Sequence, residues 1–270
     1  YQGQWSFTDC ERAGRNLIRA SVRKLYAGLP DREIAYAHSF VLSAEKAAEF
    51  DQAEEHIVSK TARFADVLLA LGDHLEILGG AVGAPKPAAD IVDLSRADLK
   101  ANQWRNYPEL SRLAQTAPLA ITEQAFLSRC KSLHEFWQRI PNGYLKALLE
   151  RSGHPRDAVK QLKSAKLLQG LTNMLERLNA DGERLDAFAG AADAADLQRR
   201  NVGMGALFTV NDLRLADAHH AGETLAHLES LDFDISRANE GYGRAVDHVF
   251  DSVIDAFSHI NAQLDSLIRR

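Results

Sequence analysis

Apolar residues recur along most of the chain at helical spacing. From Ile57 onward, Ile57, Thr61, Phe64, Leu68, Leu71, Leu75 and Leu78 follow one another in alternating steps of four and three, the rhythm of a single buried helix face. Val246, Phe250, Val253, Phe257, Ile260, Leu264 and Leu267 repeat that rhythm near the C-terminus. The second stripe predicts a long helix over Gly241–Ile268 whose apolar face is core or a helix-pairing surface rather than a cofactor site. An earlier set, Ile34, Ala37, Val41, Ala44 and Ala48, keeps the spacing in a shifted phase. The expectation is therefore a helical stretch capped by Asp31 and reaching Leu78, with a stutter or break between Phe50 and Glu55. A preceding helix is predicted from Thr8 to about Ala27, ended by Gly28-Leu29-Pro30. It would carry Arg12, Arg15, Arg19 and Arg23 on one face, either as a solvated surface or as one that meets an anionic partner.

Gly79-Gly80 through Pro85-Lys86-Pro87 reads as a linker, because the glycines free the backbone and the prolines cannot continue a helix. Shorter helices are predicted around Leu94–Gln103 and Glu109–Thr116. Thr122 is a good cap for a helix ending near Arg139, and Ile140-Pro141-Asn142-Gly143 makes a turn. Further helices are expected near Tyr144–Arg151, Pro155–Asn179, Arg184–Arg199 and Asn211–Ser230. No strand pattern, fixed-period repeat or low-complexity tract stands out. The predicted fold class is all-α: an N-terminal helical region over residues 1–118 with long hairpin-like helices, and a C-terminal helical bundle over 119–270, the boundary lying near Pro118.

Composition narrows the function classes. The chain has 270 residues, is 46% hydrophobic and 26% charged, and carries a formal net charge of −5. A sizeable core is possible, and a coat of positive charge for nucleic acid over the whole surface is not. Only Cys10 and Cys130 occur, without metal-ligand spacing, which fits a reducing compartment and a cytoplasmic location. No apolar run approaches the roughly 20 residues that span a bilayer. The opening Tyr1-Gln2-Gly3-Gln4-Trp5 has neither an initiator Met nor a signal-peptide pattern, and is read as a fragment boundary beyond which neighbouring domains are missing.

The run with most chemistry is Val210-Asn211-Asp212-Leu213-Arg214-Leu215-Ala216-Asp217-Ala218-His219-His220. Asn211 is predicted to be an N-cap, with Asp212 in the first turn. Arg214, Asp217 and His220 follow at intervals of three and share a helix face. Arg214-Leu215-Ala216-Asp217-Ala218-His219 resembles the motif of HEPN-domain ribonucleases, an arginine and a histidine separated by four to six residues, and His220 meets the same rule one residue later. The setting is similar over roughly residues 121–270: a helical bundle, the motif near the start of a late helix, and one long amphipathic helix after it. Leu215 departs from the pattern, since the family usually has a polar residue directly after the arginine; Asp217 or Asn211 would have to supply that contact.

The resemblance implies metal-independent RNA cleavage without a cofactor, in a homodimer whose two motifs face each other across one composite cleft, and a role as the effector of a toxin or antiviral defence system. His219, or His220 in its place, would remove the 2′-hydroxyl proton, Arg214 would steady the phosphate, and Asp217 would orient one of them. The alternative is a non-catalytic helical scaffold or interaction module in which Arg214 and Asp217 form an i,i+3 ion pair. A third reading is a metal site in the bundle, with His220, Glu223 and His227 on one helix facing Asp247, His248 and Asp251 on another, although the paired Glu-x-x-His repeats of di-iron bundles are absent.

Local charge is compatible with an RNA partner. Lys146, Arg151, Arg156, Lys160, Lys163 and Lys166 are opposed only by Glu150 and Asp157 in that region. Arg156, Lys160, Lys163 and Lys166 are the candidate RNA contacts, with Lys163 and Lys166 as i,i+3 neighbours that could track a phosphate backbone. Few aromatics interleave with this patch, so base stacking is not indicated there. The sequence has no phosphate-binding glycine motif, no Gly-x-Ser-x-Gly elbow and no paired Cys-x-x-Cys. In His134-Glu135-Phe136-Trp137, on a predicted amphipathic helix, Phe136 and Trp137 are expected in the core.

Overall fold

The computed structural model describes residues 10–216 and 223–270. It is predominantly α-helical, as expected, but it opens on strands. β1 (Cys10–Ala13) pairs antiparallel with β2 (Leu17–Ala20), Cys10 opposite Ala20 and Ala13 opposite Leu17. The single helix predicted from Thr8 to Ala27 is thus replaced by a hairpin and a short helix α1 (Val22–Tyr26); Thr8 itself lies outside the described residues. The cause is tertiary. Gly14 takes a left-handed φ of +54° in the turn, its N–H donates to the Gln52 carbonyl at 3.0 Å, and a Cβ there would come within 2.6 Å of the Asp51 carbonyl oxygen. Arg12, Arg15, Arg19 and Arg23 consequently share no helix face. Arg15 is buried in the turn, Arg12 bonds Ser59 Oγ, and Arg19 meets Glu11 and Gln52.

The stretch predicted from Asp31 to Leu78 divides into α2 (Asp31–His38), α3 (Ala44–Ala48) and α4 (Ile57–Ala81). The break expected between Phe50 and Glu55 is present, and another follows His38. Two caps set these boundaries: Ser43 accepts from the Lys46 N–H, and His56 Nδ1 accepts from the Val58 N–H. All seven residues of the first stripe, Ile57 through Leu78, are buried on α4.

α4 runs through Gly79-Gly80 instead of ending there, so the connection is only residues 82–87. Gly79 belongs in the helix because the Tyr144 hydroxyl occupies the place of its missing Cβ. Next come α5 (Ala88–Val92), α6 (Arg96–Asn102) and α7 (Pro108–Leu113). α8 (Glu123–Gln138) starts as predicted at the Thr122 cap, whose Oγ1 accepts from the Ala125 N–H at 3.2 Å. α9 (Asn142–Arg151) begins inside the predicted turn. The single helix expected over Pro155–Asn179 separates into α10 (Arg156–Val159) and α11 (Ser164–Ala180). Arg184–Arg199 becomes a 3₁₀ turn (Leu185–Phe188) and α12 (Ala194–Gln198). A second 3₁₀ turn (Val202–Met204) leads into α13 (Gly205–Ala216), and α14 (Glu223–Glu229), a third 3₁₀ segment (Ile235–Glu240) and α15 (Gly243–Ile268) complete the order.

α4 and α15 lie against each other at the centre, stripe to stripe. Phe64 meets Phe136, Phe250 and Phe257 edge-on, with ring centroids 5.2, 5.8 and 6.2 Å apart. One apolar cluster continues from Ile57 to Leu267 on both sides of Pro118. The chain after Pro118 is pinned to the start of α15, where the Tyr242 and Gly243 N–H groups donate to the Ile121 and Leu119 carbonyls. Among the described residues, no helix is long and apolar enough to cross a membrane.

Candidate functional site

The Arg214 run is not at a helix start. α13 begins at Gly205, so Asn211 is a mid-helix residue rather than an N-cap, and Asp212 is not in the first turn. Leu207, Val210 and Leu213 are the buried side of α13, which leaves Asn211 and Arg214 half-buried and Asp212 and Leu215 exposed. Arg214 stands in the last turn, where a cation favours the helix dipole. Its guanidinium donates to Asn211 Oδ1 at 3.2 Å, so Asn211 supports the arginine through an i,i+3 contact. Asp217, His219 and His220 lie outside the described residues.

The apolar side of α13 packs on α8. There the sequence puts a histidine at a core-facing position: His134 is 7% exposed and Trp137 fully buried, their rings 5.1 Å apart. Burial first, and the Arg214 charge second, push the His134 pKa down to about 4, so its imidazole is neutral at pH 7. Among the described residues, His134 Nδ1, Trp137 Nε1 and Arg214 Nε are buried without a hydrogen-bond partner. His134 was legible only as a polar residue inside an apolar stripe. That the Arg214 charge, 80 positions later, acts on it had no local signal.

The candidate RNA-contacting residues Arg156, Lys160, Lys163 and Lys166 are all exposed. Lys160 and Lys163 flank the loop between α10 and α11, and Lys163 is the α11 N-cap residue, so Lys163 and Lys166 do not ride one regular helix turn. Lys146 closes this loop by donating to the Lys160 carbonyl. Lys166 Nζ stands 4.9 Å from the centroid of the Phe208 ring on α13. Phe208, Asn211 and Arg214 follow at intervals of three along that helix, which joins the basic patch to the motif arginine.

The carboxylates suspected of holding a metal are already neutralised. Asp247 pairs with Arg15 at 2.5 Å, Asp251 with Lys60 at 2.5 Å and Arg63 at 2.8 Å, and His248 Nε2 meets the Leu231 carbonyl at 2.7 Å. Arg15, Lys60, Asp247, His248 and Asp251 line a cleft of about 400 Å³ between α4, α15 and the 3₁₀ segment. Glu223 and His227 sit on α14, and His220 is outside the described residues. Among the described residues, no group of three His, Cys, Asp or Glu side chains is disposed to hold a metal ion.

One polar cluster has no counterpart in the sequence reading. Glu176 on α11 takes His259 Nε2 from α15 at 2.8 Å, Asn201 Nδ2 at 2.7 Å and the Arg199 guanidinium at 2.8 Å. Gly203 lies against the His259 ring, where a Cβ would come within 2.6 Å of Cδ2. Asn173, fully buried on α11, holds the Asp196 and Arg199 carbonyls at 2.8 Å. The cluster staples the irregular segment after α11 onto α11 and α15. Comparison of the chain with protein-family models, curated proteins and solved structures finds no match.

Proposed function

We propose that this chain is a HEPN-like, metal-independent endoribonuclease. The observation that carries the reading is the continuous line from the exposed lysines through Lys166, Phe208 and Asn211 to Arg214, a cationic track that ends on a guanidinium with no carboxylate partner among the described residues. Phosphates would follow Arg156, Lys160, Lys163 and Lys166, and Arg214 would bind two oxygens of the scissile group. His219, or His220, takes the 2′-hydroxyl proton as the 2′-oxygen attacks phosphorus. The P–O5′ bond breaks, and the departing oxygen takes a proton from water. Asp217 orients the imidazole, and a second copy completes the cleft in a homodimer. A cytoplasmic toxin or antiviral effector is the corresponding role.

The test is cleavage of a fluorogenic RNA in excess chelator. Arg214→Ala and His219→Ala should each lower the rate by about 100-fold or more with unchanged helicity, the loss typical of a removed oxyanion donor or acid–base group; His220→Ala decides which imidazole acts. A parent chain that leaves RNA intact removes the reading.

The scaffold reading also has an observation in its favour. Ile18, Val22, Tyr36, Phe40 and Val41 are each 65–66% exposed in the N-terminal region, a concentration of apolar surface expected of an interaction module.

A further inference from the structure

We propose that His56 is a proton-operated clasp between the N-terminal hairpin and α4, closed while its imidazole is neutral and opened in mild acid. The clasp works in the same way whatever reaction the chain performs.

An α-helix opens with N–H groups that have no partner inside it. At the start of α4 these donors are divided between the hairpin and His56. The Ile57 N–H reaches the Arg15 carbonyl in the hairpin turn at 3.1 Å, and the Ser59 and Lys60 N–H groups reach the His56 carbonyl. The Val58 N–H goes to His56 Nδ1 at 3.1 Å. A nitrogen that accepts carries no proton, so the proton of the neutral ring is on Nε2. Protonation would set a second N–H at Nδ1, facing the Val58 donor, and the cap would be lost.

The added charge would also find no partner. His56 is 6% exposed, and its Nε2 is buried without a hydrogen bond among the described residues. The first turn of α4 holds no acidic residue to offset a cation at the positive end of the helix. Arg12, from β1, reaches that turn, where its guanidinium donates to Ser59 Oγ at 3.1 Å. The carboxylates around the junction are engaged elsewhere: Asp51 with the Ala53 N–H, Glu54 with Arg244, Glu55 with Arg63, Asp247 with Arg15 and Asp251 with Lys60. Burial first, and the Arg12 charge second, accordingly hold the His56 pKa below the ordinary histidine value. The hairpin docks through Ile57 and Ser59 on the turn that this cap shapes, so losing the cap loosens both.

Amide hydrogen exchange of the full chain, corrected for the intrinsic effect of pH, reads the clasp. Protection of residues 10–20 and 57–60 should fall several-fold between pH 7.5 and 5.5, while the rest of α4 keeps its protection. The ceiling is about tenfold for one group with an ordinary midpoint of 6.5. His56→Asn, whose side-chain oxygen caps a helix and does not titrate, should be protected at both pH values. His56→Ala should be loose at both, and Arg12→Gln should shrink the pH effect without removing it. A parent whose hairpin protection is level over this range overturns the proposal, as does an undiminished pH effect in His56→Asn. So does His56→Ala with the parent's protection at pH 7.5. Where a variant does not fold, the nitrogen-15 imidazole shifts of the parent decide: His56 protonated on Nδ1 at pH 7.5, or titrating at or above 6.5, removes the clasp.

Discussion

Residues 57–270 and residues 10–55 are held in place by different physics. In the first region two long stripes close on each other, and every residue of both stripes is buried. In the second, only Gly14, Arg15 and Leu25 are buried, and neither α2 nor α3 contributes a buried side chain. Helices of five to eight residues and a two-stranded hairpin do not persist alone in water. The hairpin is anchored instead through its turn: Arg15 reaches Asp247 at 2.5 Å and the Gly243 carbonyl at 2.8 Å, and Asn16 exchanges hydrogen bonds with Ala117. Apolar rhythm therefore forecasts burial only where a second apolar face exists to receive it.

The comparison breaks most visibly at Phe64. Phe64→Ala removes the ring that three other phenylalanines surround and should cost about 3–5 kcal/mol, read from the urea midpoint by circular dichroism. Phe40→Ala, equally large but exposed, should leave that midpoint where it is. Equal losses at the two positions would mean that residues 10–55 belong to the same cooperative core.

Arg15→Ala tests the junction. Removing one member of a buried pair strands the other, at about 3 kcal/mol. The loss should be local, with amide exchange rising across residues 10–55 while α4 and α15 keep their protection. Lysine should not restore it, because one guanidinium serves both Asp247 and the Gly243 carbonyl. A uniform loss of protection would show that the hairpin turn supports the whole fold.

What the sequence disclosed follows the same division. Both long stripes, the Thr122 cap and the break after Phe50 were legible because each is local: spacing, one hydroxyl, one change of phase. The hairpin was not, because the alternative to a helix there depends on Gly14 meeting Asp51 and Arg15 meeting Asp247, 232 positions away. The start of α13 was misplaced for a related reason. Asn211 is a good cap by type, yet the helix had already begun at Gly205, and Leu207 and Val210 in its first turns are fully buried. Arg214 was visible as a motif residue. The neutral histidine that its charge acts on belongs to another helix, and only the packing of α13 on α8 brings the two within electrostatic range.

Within the core region, acid should act through that histidine. Its folded pKa, about 4, lies below the ordinary 6.5, so the unfolded chain takes up a proton that the folded chain refuses. Stability from this group is complete above pH 6.5, falls by about 1 kcal/mol at pH 5.5, and is lost by pH 4, at roughly 3 kcal/mol in all. His56 and His154 are also pushed down, mainly by burial, and add to the slope in the same direction. His134→Phe should flatten the dependence of the urea midpoint on pH between 6.5 and 4 without erasing it. An unchanged slope would mean that His134 titrates normally in the folded chain.

The smallest effect on stability should come with the largest effect on association. Tyr36 and Phe40 meet edge to face with centroids 5.0 Å apart, yet both remain about two-thirds exposed. Replacing both with Ser removes no buried contact, so the midpoint should move by no more than about 0.5 kcal/mol. If residues 10–55 are ordered by a partner, the same double variant should abolish whatever concentration-dependent mass light scattering detects in the parent. It should also lower the amide protection of α2 at high protein concentration, because a helix with no buried face is protected only while something covers it. A parent that stays monomeric at every concentration, with α2 exchanging as fast as an unfolded peptide, would show that this region owes its shape to the hairpin's own contacts and that its apolar surface serves no second copy.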